Sequence, residues 1–268
     1  MTMYQFEYHK PASVAEAVAL FNDADDPMYL SGGMTLIPTM KQRLAAPTDL
    51  IDLSGITEMT GISVGSEVVS VGAFTRHNEV ANAAEIRESL PVLSQVAGQI
   101  GDNQVRNRGT IGGSLANSDP AADFPAAVVG LGATIHTQSR AISGDEFFHD
   151  LFENALAPGE VIVRIDFPVP QRAAYRKFPN PASRYAVVGV LVADFGGTVR
   201  VGVTGAGPCA FRASGLEKLL NRELNADAIN GVEVPDGGFN NDLHASAEYR
   251  AHLVKVMARR AIADMLES

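Results

Sequence analysis

Residues 105–125 read Val-Arg-Asn-Arg-Gly-Thr-Ile-Gly-Gly-Ser-Leu-Ala-Asn-Ser-Asp-Pro-Ala-Ala-Asp-Phe-Pro. Adjacent glycines, Gly112 and Gly113, sit among Thr110, Ser114, Asn117 and Ser118, with carboxylates at Asp119 and Asp123. Glycine lets a backbone approach a ligand that a Cβ would hold off. Hydroxyl and amide side chains supply donors around such an approach. The run reads as too irregular for an ordinary helix or strand. An earlier stretch, Leu30-Ser31-Gly32-Gly33-Met34-Thr35-Leu36, has the same character. A single Gly-Gly is usually just a turn. Two of them, each flanked by Ser or Thr, are read as two jaws around one anion, and a diphosphate suits two sets of donors better than a monophosphate does.

The chain has 268 residues, enough for one large domain or a domain with a smaller companion. Its net charge is −10, with 21 basic and 31 acidic residues. No Lys/Arg block offsets that balance, so nucleic acid is not an expected partner. Cys209 is the single cysteine, which excludes an internal disulfide and any cysteine-ligated cluster built by this chain alone. The N-terminus lacks the layout of a secretory signal, and no apolar run is long enough to span a bilayer. A cytoplasmic location is the default expectation.

Outward from the opening run, the chain reads as alternating strands and helices. Tyr4, Phe6 and Tyr8 alternate with polar residues as a strand, and Ser13 with Glu16 forms a capping box for the helix that follows. Residues 28–31 form a strand ending at Gly32. Thr35 is expected to cap a helix to about Leu44. Residues 50–53 and 68–71 read as strands, Thr75 as a second cap, and 91–100 as an apolar helix. A small-residue helix is expected from about Phe124 to Leu131, with strands at 134–137 and 161–167. Pro168 and Pro170 mark a boundary near residue 172. Beyond it, strands are expected at 174–178, 185–194 and 199–204, and helices at 211–221 and 249–267. The fold class is α+β throughout.

Common chemistries are absent. There is no Gly-x-x-x-x-Gly-Lys-Ser/Thr, no Gly-x-Gly-x-x-Gly after the first strand and no Gly-x-Ser-x-Gly. The six histidines show no metal-ligand spacing, and no nucleophile–base pair emerges, so no catalytic side chain and no metal site is assigned. Asp123, before Phe124-Pro125, has two readings. It either satisfies free N–H groups at a helix start or accepts a hydrogen bond from a sugar or ribityl hydroxyl. Arg106 and Arg108 either hold a loop or face a diphosphate. A binding site without catalytic side chains suits an organic redox cofactor that brings its own chemistry, such as a flavin.

Residues 31–41 and 106–126, together with Pro158-Gly-Glu-Val-Ile-Val-Arg-Ile-Asp-Phe-Pro, Lys177-Phe178 and Arg184-Tyr-Ala-Val-Val-Gly-Val, resemble the FAD-binding medium subunit of the molybdenum hydroxylases. That family includes aerobic carbon monoxide, xanthine and aldehyde dehydrogenases. The likeness spans nearly the whole chain. It implies a two-subdomain FAD-binding domain of the vanillyl-alcohol-oxidase and MurB (PCMH) type over residues 1–172, split near 55–60. A smaller α+β domain of the carbon monoxide dehydrogenase flavoprotein type would occupy 173–268.

The resemblance also implies roles. Leu30, Ser31, Gly32, Gly33, Met34, Thr35 and Leu36 match one diphosphate-wrapping stretch, and Thr110, Ile111, Gly112, Gly113 and Ser114 match the other. Asp123 matches a contact to the flavin's hydroxylated chain, Ile162 an apolar neighbour, Lys177 a lysine beside the ring and Tyr185 a tyrosine on a mobile loop. Ile100 falls where xanthine dehydrogenases carry a stacking aromatic. Met34 departs from the His, Gln or Asn of many relatives, and a thioether donates no hydrogen bond. FAD is expected to be non-covalent. A large molybdenum-cofactor subunit and a small [2Fe-2S] subunit would be partners in a dimer of heterotrimers. Electrons would pass from the clusters to FAD and on to NAD, quinone or oxygen. A stand-alone flavin oxidoreductase and a non-enzymatic binding protein on the same fold remain alternatives.

Overall fold

The computed structural model describes residues 3–267. The chain opens with β1 (Glu7–His9), α1 (Val14–Asp23), β2 (Pro27–Leu30), α2 (Leu36–Lys41) and β3 (Asp49–Asp52). β3 pairs in parallel with both β1 and β2, giving a three-stranded sheet in the order β1-β3-β2. The helix start read from sequence is present. Ser13 Oγ accepts from Glu16 N at 3.2 Å, while the Glu16 carboxylate reaches back to Ala12 N at 2.8 Å. Thr35 occupies the cap position of α2 but makes no side-chain cap, and the helix is shorter than expected, ending at Lys41.

β4 (Ile62–Val64) and β5 (Val68–Gly72) lead into α3 (His77–Asn82), α4 (Ala84–Ser89), α5 (Pro91–Gly98), α6 (Asn103–Arg108), α7 (Ile111–Asn117) and α8 (Asp123–Leu131). The run that looked too irregular for regular structure is therefore mostly helical. Its caps explain this. Asp102 Oδ1 accepts from Val105 N at 2.9 Å, and Thr110 Oγ1 accepts from Gly113 N at 3.1 Å. Thr75 does not cap α3 as expected. It is buried, and its hydroxyl is shared with Gly61 N and O, while Arg76 N is satisfied by the Glu79 carboxylate at 2.7 Å.

β6 (Thr134–Thr137), β7 (Ala141–Ser143), the small hairpin β8 (Phe148–Asp150) and β9 (Glu153–Asn154), and β10 (Ile162–Pro168) follow. A five-stranded antiparallel sheet forms in the order β4-β5-β10-β6-β7. The rest of the chain is β11 (Arg172–Pro179), β12 (Ala186–Asp194), β13 (Val199–Thr204), β14 (Phe211–Arg212), α9 (Ser214–Leu220) and α10 (Ala247–Glu267). These strands make a four-stranded antiparallel sheet in sequence order. Phe211 was expected to begin a helix. It instead pairs with Val203, and the helix starts three residues later.

All nine residues of α8 are buried. The helix packs against β12 and β13 on one side and reaches β10 on the other. The approach to β13 needs glycine, because a Cβ on Gly202 would lie 2.3 Å from Ala126 O. One apolar core gathers the five-stranded sheet with α3, α4, α5, α7 and α8, and the other lies between the four-stranded sheet and α10. α8 thus ties the two sheets together and points its first residue, Asp123, at the space between them.

Candidate functional site

A cavity of about 760 Å³ opens between the β2–α2 loop, the 100–102 turn, the first half of α7 and the loop at 182–185. Its volume suits a ligand of cofactor size. Of the residues singled out from sequence, Ser31 to Leu36, Ile100, Thr110, Gly112, Gly113, Ser114, Asp123, Ile162 and Tyr185 are on its wall. Leu30, Ile111 and Lys177 stand behind the wall. Leu30 lies beneath Gly33, Ile111 is wholly buried, and the Lys177 ammonium is bonded to Asp123.

The two glycine stretches lie against each other. Ser31 Oγ and Thr110 Oγ1 are 2.7 Å apart. A Cβ on Gly32 would be 2.2 Å from Arg108 O, so no other residue fits there without moving backbone. Gly33 has φ +72°, a conformation that side-chain-bearing residues adopt at a cost.

Their amides differ. The N–H groups of Gly32, Gly33, Met34 and Thr35 have no acceptor among the described residues. Those of the second stretch are taken from Ile111 to Ser114. Ile111 N donates to Thr75 O at 3.1 Å, Gly112 N to Ala73 O at 2.8 Å and Ser114 N to Thr110 O at 3.0 Å. Gly113 N is held by Thr110 Oγ1. The expectation that Gly112 and Gly113 offer amides to an anion is therefore corrected: their donors are spent on the fold. What this stretch leaves open are the side chains of Ser114 and Asn117 on the cavity wall. Gly112 serves packing, since a Cβ there would meet Ala73 O at 2.8 Å.

Cations are scarce on the wall. Among the described residues lining the cavity, Arg184 is the one Lys or Arg, against Asp102, Asp119, Asp123 and Glu160. Glu160 is neutralised by Arg140, and that pairing holds its carboxyl down to about 2. Burial raises the Asp119 carboxyl. An anionic group here would meet backbone dipoles rather than a cationic patch. Arg106 is a loop holder. Its Nη1 donates to Ile100 O at 2.8 Å and fixes the turn that carries Ile100.

Asp123 does not satisfy the N–H groups of its own helix. It is 4 % exposed and accepts Tyr175 Oη at 2.5 Å on Oδ1 and Lys177 Nζ at 3.0 Å on Oδ2. Lys177 Nζ also donates to Gln99 O at 2.8 Å. Burial pushes the Asp123 carboxyl up, and the Lys177 charge and the Tyr175 hydrogen bond oppose it. Burial and the adjacent carboxylate raise the Tyr175 phenol far above its usual range. A carboxylate has capacity for further donors, so Asp123 remains able to accept one from the cavity.

Tyr185 is 46 % exposed at the end of an exposed loop whose Arg184 has φ +63°. Asn180 organises that loop, taking Ala182 N at 2.9 Å and Ser183 N at 3.2 Å on Oδ1. Burial first, and the charges of Asp119 and Asp123 second, raise the Tyr185 phenol.

His77, one of six histidines whose spacing gives no metal site, is not singled out by the sequence. It is 5 % exposed, lines the cavity and packs on Phe124 with ring centroids 5.3 Å apart. Its Nδ1 is buried without a hydrogen-bond partner among the described residues. Burial, and then the Arg106 charge, depress the imidazole to about 4. Nothing in the local pattern Thr-Arg-His-Asn marks this residue. Tyr175 was also missed, although its place two residues before Lys177 on a strand puts both on one face.

Residues 4–170 match the family described as the FAD binding domain in molybdopterin dehydrogenase. The carbon monoxide dehydrogenase medium chain of Hydrogenophaga pseudoflava is 34 % identical, the alignment covering 96 % of each chain. Subunit alpha of the 6-hydroxypseudooxynicotine dehydrogenase complex of Paenarthrobacter nicotinovorans is 32 % identical over 97 % of this chain and 94 % of its own. A solved structure of the Hydrogenophaga pseudoflava carbon monoxide dehydrogenase, lacking the Mo-pyranopterin moiety of its molybdenum cofactor, superposes with a TM-score of 0.88. That match has 33 % identity and covers 100 % of this chain and 99 % of the other.

Proposed function

The chain belongs to the family of FAD-binding domains of molybdopterin dehydrogenases, and from that premise we propose that it relays electrons within a molybdenum hydroxylase complex. It is the FAD subunit of an oxidoreductase. In this reading, residues 1–172 bind the flavin and 173–268 form the companion domain. A large molybdenum-cofactor chain and a small [2Fe-2S] chain are its partners. Relatives with near full-length similarity are named for substrates as different as carbon monoxide and 6-hydroxypseudooxynicotine. Substrate choice therefore belongs to another subunit.

The observation that carries the reading is the row of unpartnered amides at Gly32, Gly33, Met34 and Thr35 on the wall of a cavity poor in cations. These half-buried to exposed amides are free to donate, so a group that supplies acceptors there gains hydrogen bonds at no cost to the fold. A diphosphate supplies them. The orphaned Nδ1 of His77 fits the same pattern of a wall with donors or acceptors to spare. FAD, when bound, supplies the two-electron chemistry that no side chain here supplies.

The residues would divide the work of holding it. Gly32 to Thr35 give amides to the diphosphate, and Ser114 and Asn117 give side-chain donors from the facing helix. Asp123 accepts from the hydroxylated chain while keeping Lys177 in place. Ile100 and Ile162 give apolar contact and keep water out. Tyr185, on its exposed loop, covers or uncovers the site. No covalent link is expected.

The test is purification of the protein from its source under mild conditions. The reading predicts a yellow complex that releases FAD on denaturation and contains a molybdenum-cofactor chain and an iron–sulfur chain. Colourless protein that neither retains nor rebinds FAD and carries no such partners would contradict it.

A further inference from the structure

Tyr175 and Lys177 leave the same face of β11 and meet the first residue of α8. Tyr175 is fully buried and lies off the cavity wall, whereas Asp123 is on it. Gly189 stands opposite Lys177 in β12. A Cβ on Gly189 would lie 2.3 Å from the Tyr175 hydroxyl oxygen and 2.9 Å from Thr204 Cγ2. Glycine inside a strand is destabilising relative to alanine, so its presence in the wholly buried β12 calls for a reason. The space it leaves is the space the hydroxyl fills.

We propose that Tyr175 is a positioning residue for the flavin, acting through Asp123 on Lys177, and that Gly189 is the vacancy that lets its hydroxyl reach Asp123. The proposal rests on the flavin reading above. The bond from Tyr175 to Asp123 is charge-assisted and short. It fixes the carboxylate in the orientation in which Lys177 Nζ reaches both oxygens, Oδ1 at 2.9 Å and Oδ2 at 3.0 Å. The remaining titratable groups around Asp123 are Asp119 in the turn before α8, Tyr185 on the facing loop and His77 behind Phe124. None of them donates a hydrogen bond to it among the described residues. Without the Tyr175 hydroxyl, the buried carboxylate loses one of its two anchors and takes up a proton more readily. Lys177 is then left uncompensated beside the cavity, and its charge favours the reduced cofactor.

The experiment uses the full chain with two variants, Tyr175→Phe and Gly189→Ala, and their combination. The first readout needs no flavin: the Asp123 carboxyl is titrated by ¹³C NMR. Its midpoint is expected to rise about tenfold in proton affinity in each single variant. In the combination it should rise no further, because both act through one hydroxyl. The second readout is the redox equilibrium of bound FAD. It should move toward the reduced form about tenfold in each variant, equivalent to about 30 mV for two electrons, and should follow the carboxyl titration with pH. An unchanged Asp123 midpoint in Tyr175→Phe overturns the proposal. So does a shifted midpoint with an unchanged redox equilibrium. A wild-type chain that binds no FAD overturns the flavin reading and the proposal with it, and flavin binding, not titration, tells that failure apart.

Discussion

Residues 30–36 and 110–114 both set paired glycines beside hydroxyl side chains, and the hydroxyls of Ser31 and Thr110 touch. The first stretch follows β2 in a loop and leaves four successive amides without acceptors among the described residues. The second is the first turn of α7, and the protein itself uses every amide from Ile111 to Ser114. Similar composition thus serves two ends. In the first, glycine keeps donors free and admits a tight approach to the Arg108 carbonyl. In the second, glycine lets a helix lie on the backbone of Ala73. In the proposed reading the first stretch binds and the second braces it.

The contrast can be broken most severely at Gly32. Alanine there must displace the Arg108–Gly109 backbone, so Gly32→Ala is expected to weaken FAD binding at least about 100-fold by calorimetry, near 3 kcal/mol. Next comes His77, which lies where the bracing stretch meets the cavity. Its imidazole is near 4 when folded and about 6.5 when unfolded. Below 6.5 the unfolded chain binds the extra proton. The stability that this neutral, buried ring contributes is therefore complete above pH 6.5 and lost as pH falls toward 4. The loss is of the order of 3 kcal/mol, and His77→Phe should flatten that part of a denaturation-versus-pH curve.

Gly112→Ala tests the bracing role. Overpacking against Ala73 should cost about 1–3 kcal/mol of stability in urea titrations, while the folded protein keeps its affinity for FAD within a few fold. A large affinity loss with little loss of stability would erase the distinction between the two stretches. The smallest effect is expected from Ser114→Ala, which removes one open hydroxyl. Affinity should fall by a few fold, about 1 kcal/mol, with stability unchanged.

Local chemistry made much of this architecture legible. Ser13 with Glu16 announced α1, the apolar run from Ala186 announced β12, and the small apolar residues after Asp123 announced α8. The run at 105–125 misled because three glycines and two prolines lower helix propensity, whereas the caps Asp102 and Thr110 and the contact with Ala73 decide the outcome. Phe211 joined a strand because Val203 was there to pair with it, a partner that no local window contains. At the site, the glycines were visible and the state of their amides was not. Whether an N–H is free depends on acceptors such as Ala73 O and Thr75 O, more than thirty residues away. The bond from Tyr175 to Asp123 was hidden for the same reason, since it spans 52 residues.

Amide hydrogen exchange on the full chain, with and without FAD, tests the central claim most directly. FAD is expected to bind one to one and to slow exchange at Gly32, Gly33, Met34 and Thr35, while Gly112 and Gly113, already bonded, change little. Protection that appears at Gly112 and Gly113 and leaves the first stretch exchanging freely would contradict it.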